Sequence, residues 1–215
     1  VLVDASIDQG LASFQIVLDE TEVVVEVVEI YDEATNQQEG AIGYGDILFT
    51  EIMYNPAALS DTEGEWFELY NNSDELLNLQ NLVFERDDVN RLVIADPIEL
   101  APGEYYVFAR TQLSSDAPNT SIYGSAITLS NTGAVLSIYN EGPESDPGAL
   151  IFSVNYGEAG FPDGTGASIS LGPDKLSAAE AVLGSSWCVS TSLYNTGDSG
   201  TPGEVNDLCD QSESM

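Results

Sequence analysis

The 215-residue chain contains no histidine. This excludes serine–histidine–acid triads, imidazole general bases and histidine-ligated metals. Cations are nearly as scarce. Arg86, Arg91, Arg110 and Lys175 stand against 37 acidic residues, for a formal charge of −33. Nucleic-acid binding draws its affinity from cations that neutralise phosphates, and anionic headgroups attract polybasic segments. Neither nucleic acid nor an anionic membrane surface is therefore an expected partner. No apolar run approaches the roughly 20 residues of a membrane span, so membrane insertion is not expected. Cysteine is limited to Cys188 and Cys209, and two cysteines without histidine seldom build a metal site. The chain opens on Val1 rather than methionine, which reads as a leader removed or a trimmed sequence.

What is present describes a folded β protein. A hydrophobic content of 43% is that of a folded chain, and the length allows one large or two small domains. Residues 1–40 hold ten acidic residues and no basic one. Residues 12–18 read as a strand and residues 22–30 as a second, with Asp19-Glu20-Thr21 as a hairpin turn between them. In the second, Val23, Val24, Val25, Val27, Val28 and Ile30 form a nearly continuous apolar run, the pattern of a strand buried on both faces. Two strands alone are marginal in water. This N-terminal β arm, residues 1–40, is thus expected to pack on the downstream domain, on a missing upstream domain or on another molecule. Residues 41–45 read as a linker.

From residue 46 to 209 short strands alternate with turn signals at the spacing of a β-sandwich. Strands are expected at 47–54, 65–71, 82–85, 91–94, 105–110, 121–123, 134–139, 151–154 and 168–171. Turns fall at Pro102-Gly103, Asn131-Thr132-Gly133, Pro162-Asp163-Gly164 and Gly172-Pro173-Asp174. Residues 177–183 alone look helical, and residues 210–215 read as a loose polar tail.

Several ordered blocks sharpen this reading. Thr50-Glu51-Ile52-Met53-Tyr54-Asn55-Pro56 leads into Asp61-Thr62-Glu63-Gly64-Glu65-Trp66-Phe67-Glu68-Leu69-Tyr70-Asn71. Ala101-Pro102-Gly103-Glu104-Tyr105-Tyr106-Val107-Phe108-Ala109-Arg110 follows, then Leu129-Ser130-Asn131-Thr132-Gly133 and Gly166-Ala167-Ser168-Ile169-Ser170-Leu171. The series closes with Trp187-Cys188, Gly200-Thr201-Pro202-Gly203, Asn206 and Cys209. Over roughly residues 44–209 the chain resembles the bacterial lamin tail domain. The resemblance implies an all-β, immunoglobulin-like sandwich in a secreted or surface protein. In that setting Cys188 and Cys209 read as a disulfide worth roughly 3 kcal/mol in the chain-entropy picture; two separate buried thiols are the other possibility.

A sandwich is a scaffold for many roles, so chemistry must be sought in residues. Calcium takes six to eight oxygens from carboxylates, carbonyls and water. Asp61, Glu63 and Glu65 in the acidic turn are the candidate ligands, and Ca²⁺ the candidate ion. The surface charge also suits salty or calcium-rich surroundings, and solvated turns explain the same residues. A structural role for Glu51 or Glu68 against Arg110 or Arg86 is also open, because a buried carboxylate in so acidic a chain needs one of the few arginines, backbone donors or a metal. Paired carboxylates can hydrolyse glycosides, but no pair stands out and no enzyme activity is expected. Asn71 and Asn119 head N-x-S/T triplets and are glycosylation candidates. The expected role is a non-enzymatic, extracellular or cell-surface protein of structure or assembly, self-associating or binding another surface protein. It would be a filament or surface-layer subunit built by strand addition through residues 23–30. The alternative is an accessory ligand-binding or adhesion module of a larger extracellular protein.

Overall fold

The computed structural model of the chain describes residues 2–8, 11–17, 42–88, 90–113, 117, 119–141 and 148–209. The chain divides into two units, Val1–Ala41 and Ile42–Met215.

In the first unit, β1 (Leu2–Asp8) pairs antiparallel with β2 (Leu11–Val17), from Leu2 opposite Val17 to Asp8 opposite Leu11. The strand expected at 12–18 therefore exists, and its partner here is an upstream strand that the sequence reading did not foresee. The expected turn at residues 19–21 and strand at 22–30 lie outside the described residues.

The second unit is a sandwich. Its strands are β3 (Ile47–Met53), β4 (Trp66–Asn71), β5 (Leu77–Asn78), β6 (Val83–Arg86), β7 (Asn90–Val93), β8 (Glu99–Leu100), β9 (Tyr105–Ala109), β10 (Thr120–Ile122), β11 (Val135–Tyr139), β12 (Leu150–Asn155), β13 (Ile169–Leu171) and β14 (Trp187–Val189). One sheet runs β10-β9-β4-β3-β13-β14, the second β12-β11-β6-β7, and β5 pairs with β8. Among the described residues helix is limited to single turns: α1 (Asp61–Gly64) and α2 (Ala178–Ala181), the latter capped by the Ser177 side chain, and one 3₁₀ turn at Gly184–Ser186.

The inner faces meet in an aromatic core. Phe67 on β4 lies 5.4 Å from Phe84 on β6, Phe84 lies 5.1 Å from Phe108 on β9, and Phe49 on β3 lies 6.4 Å from Phe152 on β12. Alternation puts Phe67 and Leu69 in this core and leaves Trp66 and Glu68 on the opposite face of the sheet. In β3 the pairing register shifts between Phe49 and Glu51. The extra residue, Thr50, resets the alternation, so Phe49 and Ile52 both reach the core although three positions apart. Glu51 then stands opposite Glu68.

The outer face of the larger sheet is covered by the C-terminal segment. Tyr194 packs on Trp66 at 5.7 Å and takes its indole N–H at 3.2 Å. Close approach here requires glycine: a Cβ on Gly200 would stand 2.9 Å from the Trp66 ring. Cys188 and Cys209 form a disulfide with Cα atoms 5.5 Å apart, anchoring the end of this segment.

The linker expected at 41–45 is corrected for residues 42–45. Ile42 is buried, its N–H donates to the Asn140 side chain at 3.1 Å, and Asn140 Nδ2 donates back to its carbonyl at 2.8 Å. Gly45 N–H donates to Ile151 O at 2.9 Å. A segment so bonded belongs to the sandwich.

Candidate functional site: a buried carboxylate pair and an open cleft

Beneath the C-terminal segment lie two fully buried carboxylates, Glu51 and Glu68. The hydroxyls of Ser168 and Ser190 donate to Glu51 Oε1, as does Thr201 N–H at 2.9 Å, and Thr201 Oγ1 donates to Oε2 at 2.9 Å. Thr50 Oγ1 donates to Glu68 Oε1 at 2.8 Å and Gly203 N–H to Oε2 at 2.7 Å. Asn206 completes the seam, donating to the Thr50 and Leu171 carbonyls at 2.9 Å each. No cation enters. Arg86 pairs with Asp87, Arg91 with Glu85, Arg110 with Glu65 and Lys175 with Asp174. Burial raises the Glu51 carboxyl above its usual range against the pull of its hydrogen bonds. It raises Glu68 further, with Glu51 adding repulsion. Every oxygen of the pair is occupied by an internal donor and sealed from solvent, so this arrangement fastens a chain segment and presents no carboxyl to a substrate.

The acidic turn is taken apart by the fold. Asp61 accepts from Asn131 Nδ2 at 3.2 Å, and Glu63 accepts from Ser60 Oγ at 2.8 Å. Glu65 is turned inward, fully buried, with Oε2 on Arg110 Nη1 at 2.9 Å and on Leu129 N–H at 3.2 Å. Burial still raises its carboxyl, against those bonds. The three candidate ligands are thus not gathered, and among the described residues no three acidic, histidine or cysteine side chains are grouped to hold a metal. Three buried polar atoms in this region, Glu65 Oε1, Arg110 Nε and Tyr123 OH, have no hydrogen-bond partner among the described residues.

Tyr123 also lines a cleft that opens outward. β7 and β10 each end a sheet. Between them lies a cleft of about 300 Å³ lined by Leu92, Val93, Ile94, Ile98, Phe108 and Tyr123, with Ile122 at its side. Val93 is 49% and Ile122 57% exposed, high for apolar side chains on strands. Tyr123 stacks on Phe67 at 5.6 Å, which fixes the floor of the cleft to the core. The other two sheet ends each bond to a neighbouring segment in part. Gly45 donates to Ile151 on β12. Beyond β14, Asp207 accepts from Thr191 and Ser192 N–H at 2.7 and 2.8 Å, and the disulfide holds Cys188.

Asn71 is corrected as a glycosylation candidate. It is fully buried, its amide donates to the Glu75 and Leu100 carbonyls at 2.8 Å each, and its Oδ1 accepts from Ser73. A glycan has no room there in the folded domain. Asn119 is exposed, with φ of 53°. Val23, Val24, Val25, Val27, Val28 and Ile30 lie outside the described residues. The structural role open to Glu51 or Glu68 against Arg110 or Arg86 is corrected, since Arg110 pairs with Glu65 and Arg86 with Asp87; the facing of the two glutamates and the cleft are what sequence reasoning missed. The visible signal was two glutamates embedded in apolar strands; the donors, 150 positions on at Thr201, gave none.

The family model of the lamin tail domain matches residues 41–158. That is more than half of the chain, and it runs from the Ile42 anchor through β12. No curated protein matches the chain.

Proposed function

We propose that this chain, which belongs to the lamin tail domain family, is a non-enzymatic structural and interaction module that joins copies of itself outside the cell by strand addition. The observation that carries this reading is the cleft between β7 and β10, which end their sheets among the described residues, with Val93 and Ile122 exposed beside it. An open edge with apolar side chains is a template for another strand. Residues 23–30 supply one: five valines and an isoleucine, with Glu26 and Glu29 limiting uncontrolled stacking. The disulfide suits an oxidising, extracellular setting. Among the described residues no helix is long and apolar enough to cross a membrane.

A second reading, an accessory ligand-binding or adhesion module, is favoured by the cleft itself, whose volume is at the small end of ligand sites. Deleting residues 1–40 separates the two. Light scattering at equal concentration should show that the truncated chain loses the oligomers of the intact one. An unchanged oligomeric state defeats the assembly reading and leaves the ligand module.

A further inference from the structure

We infer that Glu65, Arg110 and Tyr123 form a buried binding site for a single water molecule, held by Glu65 Oε1, Arg110 Nε and Tyr123 OH behind the floor of the cleft. This stands on the sandwich alone and is independent of the assembly reading above.

Backbone pairing places the three residues in one row. Trp66 on β4 stands opposite Ala109 on β9, and Ala109 stands beside Ile122 on β10. One residue further along, the same register aligns Glu65, Arg110 and Tyr123. Arg110 N–H donates to Glu65 O at 2.9 Å, and Tyr123 N–H donates to Ala109 O at 2.9 Å. Alternation fixes the face of the row. Glu65 lies two residues before Phe67 and Arg110 two after Phe108, and both phenylalanines belong to the core. Tyr123 stacks on Phe67. All three side chains therefore point to the inner side of the sheet.

The row is incompletely satisfied. The ion pair uses one atom of each partner, Glu65 Oε2 and Arg110 Nη1, at 2.9 Å, and Oε2 also takes Leu129 N–H. Glu65 Oε1, Arg110 Nε and Tyr123 OH are buried and have no hydrogen-bond partner among the described residues. Buried polar atoms are rarely left so, and three on adjacent residues mark a site. The three are also electrostatic neighbours. Burial raises the Tyr123 phenol above its ordinary range, Glu65 raises it further and Arg110 opposes the shift.

The chemistry selects the occupant. Oε1 calls for a donor and Nε for an acceptor, and the phenol serves as either. A cation would meet the guanidinium and an anion the carboxylate, so the occupant is neutral. One small group must both donate and accept between the three atoms. Water does this, and internal waters make about three hydrogen bonds each. Tyr123 and Glu65 are poorly placed to bond directly, because they stand two strand spacings apart, roughly 10 Å at the backbone, with Arg110 between them. The water thus ties the hydroxyl of Tyr123, whose side chain lines the cleft, to an ion pair at the rim of the core.

The test uses the full chain. A high-resolution crystal structure should show one ordered water within about 3.2 Å of all three atoms. Side chains rotated so that Nε or the phenol bonds Oε1 directly, or no water at the site, overturn the proposal. In solution, oxygen-17 relaxation dispersion reports long-lived internal waters. Tyr123→Phe removes one of the three bonds and keeps the ring on Phe67. One long-lived water should then exchange roughly fivefold faster or more, the factor that one hydrogen bond is worth. A dispersion identical to that of the unaltered protein overturns the proposal. If Tyr123→Phe does not fold, the crystal structure decides alone.

Discussion

Glu51 and Glu68 face each other across β3 and β4, both fully buried, with hydroxyls and backbone N–H groups as their donors among the described residues. Two carboxylates in such a place share a preference for the protonated form. Burial raises Glu51, Glu68 and Glu65 above the ordinary value of 4.5. The folded chain therefore binds more protons than the unfolded chain at any pH between that value and the folded ones. Stability must fall as pH rises through this window.

The first prediction is a melting temperature that rises as pH is lowered from 8 towards about 5, at fixed ionic strength. Relief of the −33 self-repulsion has the same sign. Glu68→Gln separates the two, because removing the buried charge flattens the profile while barely changing the surface. Asp207 acts the other way: its four donors hold it below the ordinary range despite partial burial. Its contribution is lost as pH falls further, so the profile should turn over in acid. Calorimetric melts across pH check both limbs, and a melting temperature rising steadily from pH 5 to 8 contradicts the account.

Thr201 should matter more than its partly exposed position suggests. Thr201→Val removes a hydroxyl donor from Glu51 Oε2 and leaves a buried acceptor unmet, at a cost of about 1–3 kcal/mol. The loss should shrink when Glu51 is already glutamine, since the two share one network. Denaturant melts of the four-member cycle measure it, and strict additivity would show that Thr201 acts independently of Glu51.

Arg110 is the sole cation on the buried Glu65 among the described contacts. Arg110→Met strands that carboxylate and should cost about 3–5 kcal/mol. Glu65→Gln with Arg110→Met should recover part of it. Urea unfolding provides the numbers, and a loss below 1 kcal/mol would mean that Glu65 is protonated or solvated without its partner.

Reducing the Cys188–Cys209 link, with a sequence separation of 21, should lower stability by about 3 kcal/mol. The effect should fall first on the C-terminal segment over Glu51. Hydrogen exchange at Thr201 and Gly203 N–H is the local readout; protection unchanged on reduction would show that the carboxylates alone hold the segment.

Calcium can be tested at Asp61 and Glu63, but any site there must be completed by groups other than Glu65, which faces Arg110. Melts with calcium and with sodium at matched ionic strength distinguish a site from screening. A calcium-specific rise that Asp61→Asn abolishes supports the site; identical melts exclude it.

The strands of the sandwich were legible where alternation met a turn signal, as in Phe67 and Leu69 against Trp66 and Glu68. The two-residue strands β5 and β8 were too short for any period to show. β1 escaped because Asp4, Ser6 and Asp8 dilute its apolar positions. The Thr50 bulge is a register property, and no local pattern marks it. The carboxylate pair was hidden for a different reason. Among 37 acidic residues a buried glutamate resembles its solvated neighbours, and what identifies Glu51 is a threonine 150 positions away. The cleft depends on which strands end each sheet, and that follows from pairing rather than composition.

The central claim is that the sandwich accepts residues 23–30 as an added strand. The direct measurement is binding of a labelled peptide of residues 20–32 to the protein lacking residues 1–40, by fluorescence anisotropy. The account predicts saturable binding that Val93→Asp weakens at least tenfold. No saturable binding up to millimolar peptide, to a sandwich that melts cooperatively, would contradict it.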